Sequence, residues 1–180
     1  MRKVIRKFFG VWEADREEKW LNEMAAKGLS LVAVGYCRYE FEDCTPGEYQ
    51  YRIELLKHNP SHPESQQYIK FIEDTSAEQV GSYMRWVYFR KKTADGPFDL
   101  FSDLESRINH LNRIISLLFG LGVFNLGAAI YNLIVAFSLS SVINGLACAI
   151  AVTVSIPLTI GTCKLCRKRQ KLKADQKIFE

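Results

Sequence analysis

Charged side chains are missing from residues 114 to 163: across fifty consecutive positions there is no Asp, Glu, Lys, Arg or His. A helix in a soluble fold needs a polar face, so this stretch does not belong to one. No leader is expected either. MRKVIRKFFGVWEADREEKW has no apolar run of seven residues before its charges resume, so no cleavage is expected and the mature chain should begin near Met1. Cysteine pairs are scarce: Cys163 and Cys166 form a Cys-x-x-Cys, while Cys37, Cys44 and Cys148 stand apart, short of the paired motifs of a zinc site. Also absent are a nucleophile elbow, a phosphate loop and a dinucleotide fingerprint. No catalytic residue, metal ligand or cofactor is expected, and the chain is not expected to be an enzyme.

What is there begins with the apolar half. Fifty helical residues would extend roughly 75 Å against a hydrocarbon core of about 30 Å, so two crossings fit. The break is expected within Phe137-Ser138-Leu139-Ser140-Ser141, giving transmembrane helices over 114–137 and 142–163. Lys164, Arg167, Lys168, Arg169, Lys171 and Lys173 then crowd a basic tail, 164–180. Positive charge stays inside, which places both termini in the cytoplasm and the protein in the cell membrane. Asn125 and Asn132 share a face with Ala128 and Ala129, and Ala147, Ala151 and Ser155 recur at every fourth position. That pattern predicts close packing of a helical hairpin, with an Asn amide finding a partner across it. With no Asp, Glu, Lys, Arg or His in either span, a pump or ion channel is disfavoured.

The two tail cysteines sit where the second span ends, in a reducing compartment. Two small residues closing a helix is the simplest account, with palmitoylation as the alternative. The net charge of +4 does not point to nucleic acid, because it is unevenly placed. Residues 1–109 carry 16 basic and 18 acidic side chains, a net of −2, whereas residues 110–180 carry 8 and 2. The excess belongs to the membrane end, where topology and anionic lipid account for it.

Residues 1–98 read as a cytoplasmic α+β domain without an internal repeat. Lys3 to Phe9 predicts a strand, and Ala14 to Lys27 a helix with Trp20, Leu21 and Met24 on one face, closed by Gly28. Leu31 to Phe41 and Tyr49 to Leu55 predict a β-hairpin turning at Thr45-Pro46-Gly47-Glu48. A second amphipathic helix is expected from Glu64 to Asp74, then a strand from Tyr83 to Arg90. The order βαββαβ is that of a ferredoxin-like fold, a four-stranded sheet with two helices on one face. On the last strand one alternate set, Met84, Trp86 and Tyr88, would meet the helices and the other, Arg85, Val87 and Phe89, the open side, or the reverse. Both sets carry large apolar groups, so the open face predicts an interaction surface.

The RNA-binding version of that fold is disfavoured, since Arg85-Trp86-Val87-Tyr88-Phe89 lacks its glycine-aromatic spacing and the domain is slightly acidic. His58 and His62 have ligand-like spacing, but Pro60 and Pro63 make the stretch a loop, with no third ligand evident. Arg38, Arg52 and Arg85 are candidate anion contacts. A linker, 99–113, is expected to start a helix capped by Ser102 or Asp103 and to run into the first span.

Lys19-Trp20-Leu21-Asn22-Glu23-Met24-Ala25-Ala26-Lys27-Gly28, Tyr39-Glu40-Phe41, Gly47-Glu48-Tyr49-Gln50-Tyr51-Arg52-Ile53-Glu54 and Phe98-Asp99-Leu100-Phe101-Ser102-Asp103 with Ser106-Arg107 resemble the bacterial domain-of-unknown-function 2812 family over about residues 1 to 115. The resemblance implies a membrane protein with a cytoplasmic domain and paired C-terminal spans, encoded beside a PadR-type transcriptional repressor, and it lends no catalytic residues. Two functions are therefore expected. One is a membrane-anchored regulatory module whose partners are the lipid bilayer and a protein, a transcriptional regulator included. The other is a sensor or enzyme for an anionic or amphiphilic small molecule bound between sheet and membrane. Direct nucleic-acid binding is not expected, and a homo-oligomer is compatible with both.

Overall fold

The computed structural model describes residues 2–101 and 103–179, with side chains to Gln176. The chain divides into two units, 1–106 and 107–180. In the first, β1 (Lys3–Arg6), α1 (Ala14–Ala26), β2 (Leu29–Gly35) and β3 (Arg38–Asp43) are followed by β4 (Tyr49–Leu55), α2 (Pro63–Glu73), β5 (Ala77–Tyr83) and β6 (Trp86–Lys92). The fold is mixed α+β, built on two antiparallel three-stranded sheets in the orders β1-β3-β2 and β4-β6-β5.

Two expectations are corrected by this arrangement. The apolar run Leu31 to Phe41 is two strands, because the chain reverses at Tyr36-Cys37 and Gly35 pairs with Arg38. The hairpin expected between 31–41 and 49–55 is accordingly absent: β3 pairs with β1 and β2, and β4 with β6. In place of one four-stranded sheet with two helices on one face there are six strands in two sheets.

The unit is also internally repeated. Both βαββ halves place their third strand between the other two, and the pairing of β2 with β3 recurs in β5 with β6 at a constant spacing of 48 residues: Leu31↔Phe41 matches Gln79↔Phe89, and Gly35↔Arg38 matches Tyr83↔Trp86. Even the bulges coincide, between Leu31 and Ala33 and between Gln79 and Gly81. No repeat is evident in the letters because the halves preserve character more than identity. Trp20, Leu21 and Met24 of α1 correspond to Tyr68, Ile69 and Ile72 of α2, and Gly28 to Ser76, both left-handed, at φ 79° and 68°.

The helices occupy different places. Leu21, Met24 and Ala25 of α1 pack with Leu31, Tyr39 and Phe41 of one sheet and with Tyr51, Ile53 and Tyr88 of the other, so α1 is wedged between the sheets. Ile69 and Ile72 of α2 cover the remaining face of the second sheet, against Val87 and Phe89. The two sheets approach each other along β2 and β5, where a Cβ on Gly81 would lie 3.0 Å from the Val34 side chain. A bare α-carbon is needed there for the strands to come so close.

The second unit holds all of α3 (Leu104–Ser138) but its first three residues, and α4 (Val142–Phe179), the two helices flanking Leu139-Ser140-Ser141. The Asp103 carboxylate accepts from the Ser106 N–H at 2.6 Å and from its hydroxyl at 3.1 Å, as an N-cap does. Ser102, the other capping candidate, lies outside the described residues. Both helices are long and apolar enough to cross a membrane, and only 17% and 11% of their apolar windows are buried. Such low burial separates them from the core helix of a soluble protein. Asn125 donates to the Ala151 carbonyl at 2.7 Å and to the Ser155 hydroxyl at 2.8 Å on the facing helix, whereas Asn132 turns back to the Ala128 carbonyl of its own helix.

Candidate functional site

Val87 and Phe89 do not lie on an open face. Both are completely buried beneath α2, and the alternate set on β6 is covered as well, since Tyr88 is buried against α1. Apolar groups on both sides of a strand can mean that it is sandwiched, and here both covers come from the same chain. Arg85 is engaged too: its Nε and Nη2 donate to the Leu56 carbonyl at 2.9 and 2.6 Å.

The candidate anion contacts are each held by acceptors of their own chain. Arg38 meets Glu40 at 2.9 Å. Arg52 donates to the Tyr51 carbonyl at 2.9 Å and lies 3.5 Å from Glu18. With Arg85 committed to Leu56, the three have separate partners.

Between the sheets lies a buried carboxylate. Glu17 Oε1 accepts from the Tyr39 hydroxyl at 2.7 Å and the Tyr88 hydroxyl at 2.6 Å, one from each sheet. Burial raises the Glu17 carboxyl above the usual range, and the two hydroxyl donors offset part of that rise. The same burial, with the neighbouring Glu17 charge, raises both tyrosines. The arrangement can share or store a proton, but its first effect is mechanical: one carboxylate ties α1 to both sheets.

Among the described residues of the unit five large apolar groups are exposed: Val4, Phe8 and Phe71 stand apart, and the two most exposed lie at the hairpin tips. Tyr36, between β2 and β3, and Met84, between β5 and β6, are 73% and 74% exposed and hold equivalent positions in the two repeats. The tips are side by side, with the Tyr36 and Tyr83 rings 6.1 Å apart. Cys37 and Met84 adopt left-handed backbone, at φ 51° and 55°, without being glycine, a strain that gathers at functional turns. The alternation on the strands could not announce this patch, because it depends on the two hairpins ending together. The letters offer one weak signal: Tyr36-Cys37-Arg38 and Tyr83-Met84-Arg85 read alike, although they stand 47 residues apart, one short of the repeat.

Residues 13–123 match the family described as protein of unknown function, DUF2812. The chain belongs to that family. The DUF2812 match takes in α1, both sheets from β2 onward and the first part of α3, so it embraces the two tips and the start of the first apolar helix. No curated protein and no solved structure matches the chain.

Proposed function

We propose that this DUF2812 protein is a membrane-anchored regulatory module: α3 and α4 form a transmembrane hairpin, both termini lie in the cytoplasm, and the α+β unit presents its hairpin tips to a protein partner. The observation that carries the reading is the pairing of Tyr36 and Met84, the two most exposed large apolar side chains described in the unit, at equivalent turns that end side by side. The anchor is supported by two long apolar helices with little internal burial, and its orientation by the six basic side chains between Lys164 and Lys173. A PadR-type transcriptional regulator is the partner that the family resemblance suggests.

The test is quantitative mass spectrometry of what co-purifies with the tagged protein from its native membrane in mild detergent, with Tyr36→Glu/Met84→Glu alongside. A stoichiometric regulator that disappears in the double variant, at unchanged melting temperature, supports the reading. Recovery of the same partner by both proteins removes the tips as the interface. A protein recovered alone, with an unexplained small molecule in its mass spectrum, would overturn the partner in favour of a ligand sensor.

A further inference from the structure

The two repeats differ in the connection between first strand and helix. In the first repeat it is Lys7 to Glu13, where Lys7 rests on the rings of Phe9 and Trp20 and a 3-10 turn, Val11–Glu13, leads into α1. In the second it is Leu56 to His62, and it carries two of the three histidines of the chain. His58 and His62 are stacked with ring centroids 4.2 Å apart, and the first turn of α2 brings Glu64 beside them. One ligand atom from each of the three lies within 4.8 Å of the others. The third ligand, not evident in the linear spacing, comes from the helix that Pro63 starts.

We propose that His58, His62 and Glu64 bind a divalent metal ion of the zinc type. Two imidazoles and one carboxylate are the donor set that such an ion takes when it keeps an open position for water. An ion with bonds of about 2.0–2.2 Å holds its donors roughly 3.3 Å apart, and His58 Nε2 is already 3.4 Å from Glu64 Oε2. Small side-chain rotations close the rest, since His62 and Glu64 are exposed and His58 is partly so. Two present contacts are given up. Lys57 Nζ, 3.8 Å from Glu64 Oε2, yields its place beside the carboxylate to the ion. His62 Nδ1 accepts from the Glu64 N–H at 3.3 Å, so in the neutral ring the proton is on Nε2. Coordination through Nδ1 displaces that bond directly, and coordination through Nε2 moves the proton to Nδ1, with the same result. The ion thus exchanges a long helix cap for three coordinate bonds and ties the connection to α2.

The full chain, purified in mild detergent on a tag without histidines and stripped with chelator, is titrated with cobalt(II) by absorption and with zinc(II) against a chromophoric chelator. The expected result is one ion per chain, with a cobalt spectrum free of thiolate charge transfer. His58→Ala and His62→Ala should each weaken zinc at least about tenfold, and Glu64→Gln several-fold. His62→Asn keeps a cap acceptor at the start of α2 and should also lose the ion, at an unchanged melting temperature without metal, which separates ligation from folding. Equal zinc affinity in the wild type and in His58→Ala/His62→Ala overturns the site. So does a thiolate-dominated cobalt spectrum that Cys163→Ser/Cys166→Ser abolishes.

Discussion

On β3 the face turned away from its helix carries Glu40 and Glu42, both half-buried; on β6 the equivalent face carries Tyr88, buried under α1, and Arg90, which reaches Ser30 and Glu78. Register is the same in both halves, and surroundings are not. The first sheet is a half-covered sheet with a polar back, whereas the second is covered by α2 on one side and by α1 of the other half on the other. The repeat specifies strand pairing, and departures from it specify how the halves are joined. Glu17 belongs to the departures, for its counterpart 48 residues on is Ser65, which donates to the His58 carbonyl at 3.2 Å.

The strongest way to break this comparison is to remove its shared centre. Phe41 and Phe89 are equivalent and completely buried, and Phe→Ala at either should cost about 3–5 kcal/mol in chemical denaturation of the α+β unit. Similar losses at both would mean that the halves unfold together. A loss confined to one would separate them.

Next is the joint itself. Glu17→Ala leaves two buried tyrosine hydroxyls without their acceptor and should cost about 3 kcal/mol, against about 1 kcal/mol for Ser65→Ala. The pH dependence gives a finer test. Because the folded chain raises the Glu17 carboxyl, it binds that proton more tightly than the unfolded chain does. This contribution to stability is present below the ordinary carboxylate value, falls as pH rises through the raised one and is flat beyond. Glu17→Gln should remove the slope in that window, and denaturation curves from pH 4 to 8 would show it.

The smallest effects sharpen the comparison at the helix ends. A methyl on Gly28 would lie 2.9 Å from the Cys44 carbonyl oxygen at a left-handed φ, so Gly28→Ala should destabilise by about 2 kcal/mol. Ser76 holds the corresponding backbone without being glycine, and Ser76→Gly should stabilise by about 0.5 kcal/mol. Opposite signs in the melting temperature would confirm that the two turns have the same shape.

Much of this was legible in the sequence, and what was missed has physical causes. The apolar helices declare themselves by missing charge, and Asn125 meets a partner on the facing helix, as the small-residue pattern predicts. Helices α1 and α2 followed from their apolar stripes and from Gly28. Strand pairing did not follow, since Gly35-Tyr36-Cys37-Arg38 turns without a residue pair that demands it, and a run of β-formers looks the same straight or folded. The surface assigned to Val87 and Phe89 was misplaced because periodicity identifies a face without identifying its cover. His58 and His62 were visible as a pair, but Glu64 joins them only through the first turn of α2.

One detail of α1 has a bearing on solubility. β4 lies at the rim of its sheet, where unpaired peptide groups would invite another chain to add a strand. The Asn22 amide occupies both peptide groups of Tyr51, accepting from its N–H at 2.9 Å and donating to its carbonyl at 3.1 Å, and the Glu18 carboxylate takes the Ile53 N–H at 3.1 Å. Two side chains of a helix thus do the work of a seventh strand and keep this part of the rim closed to neighbouring chains.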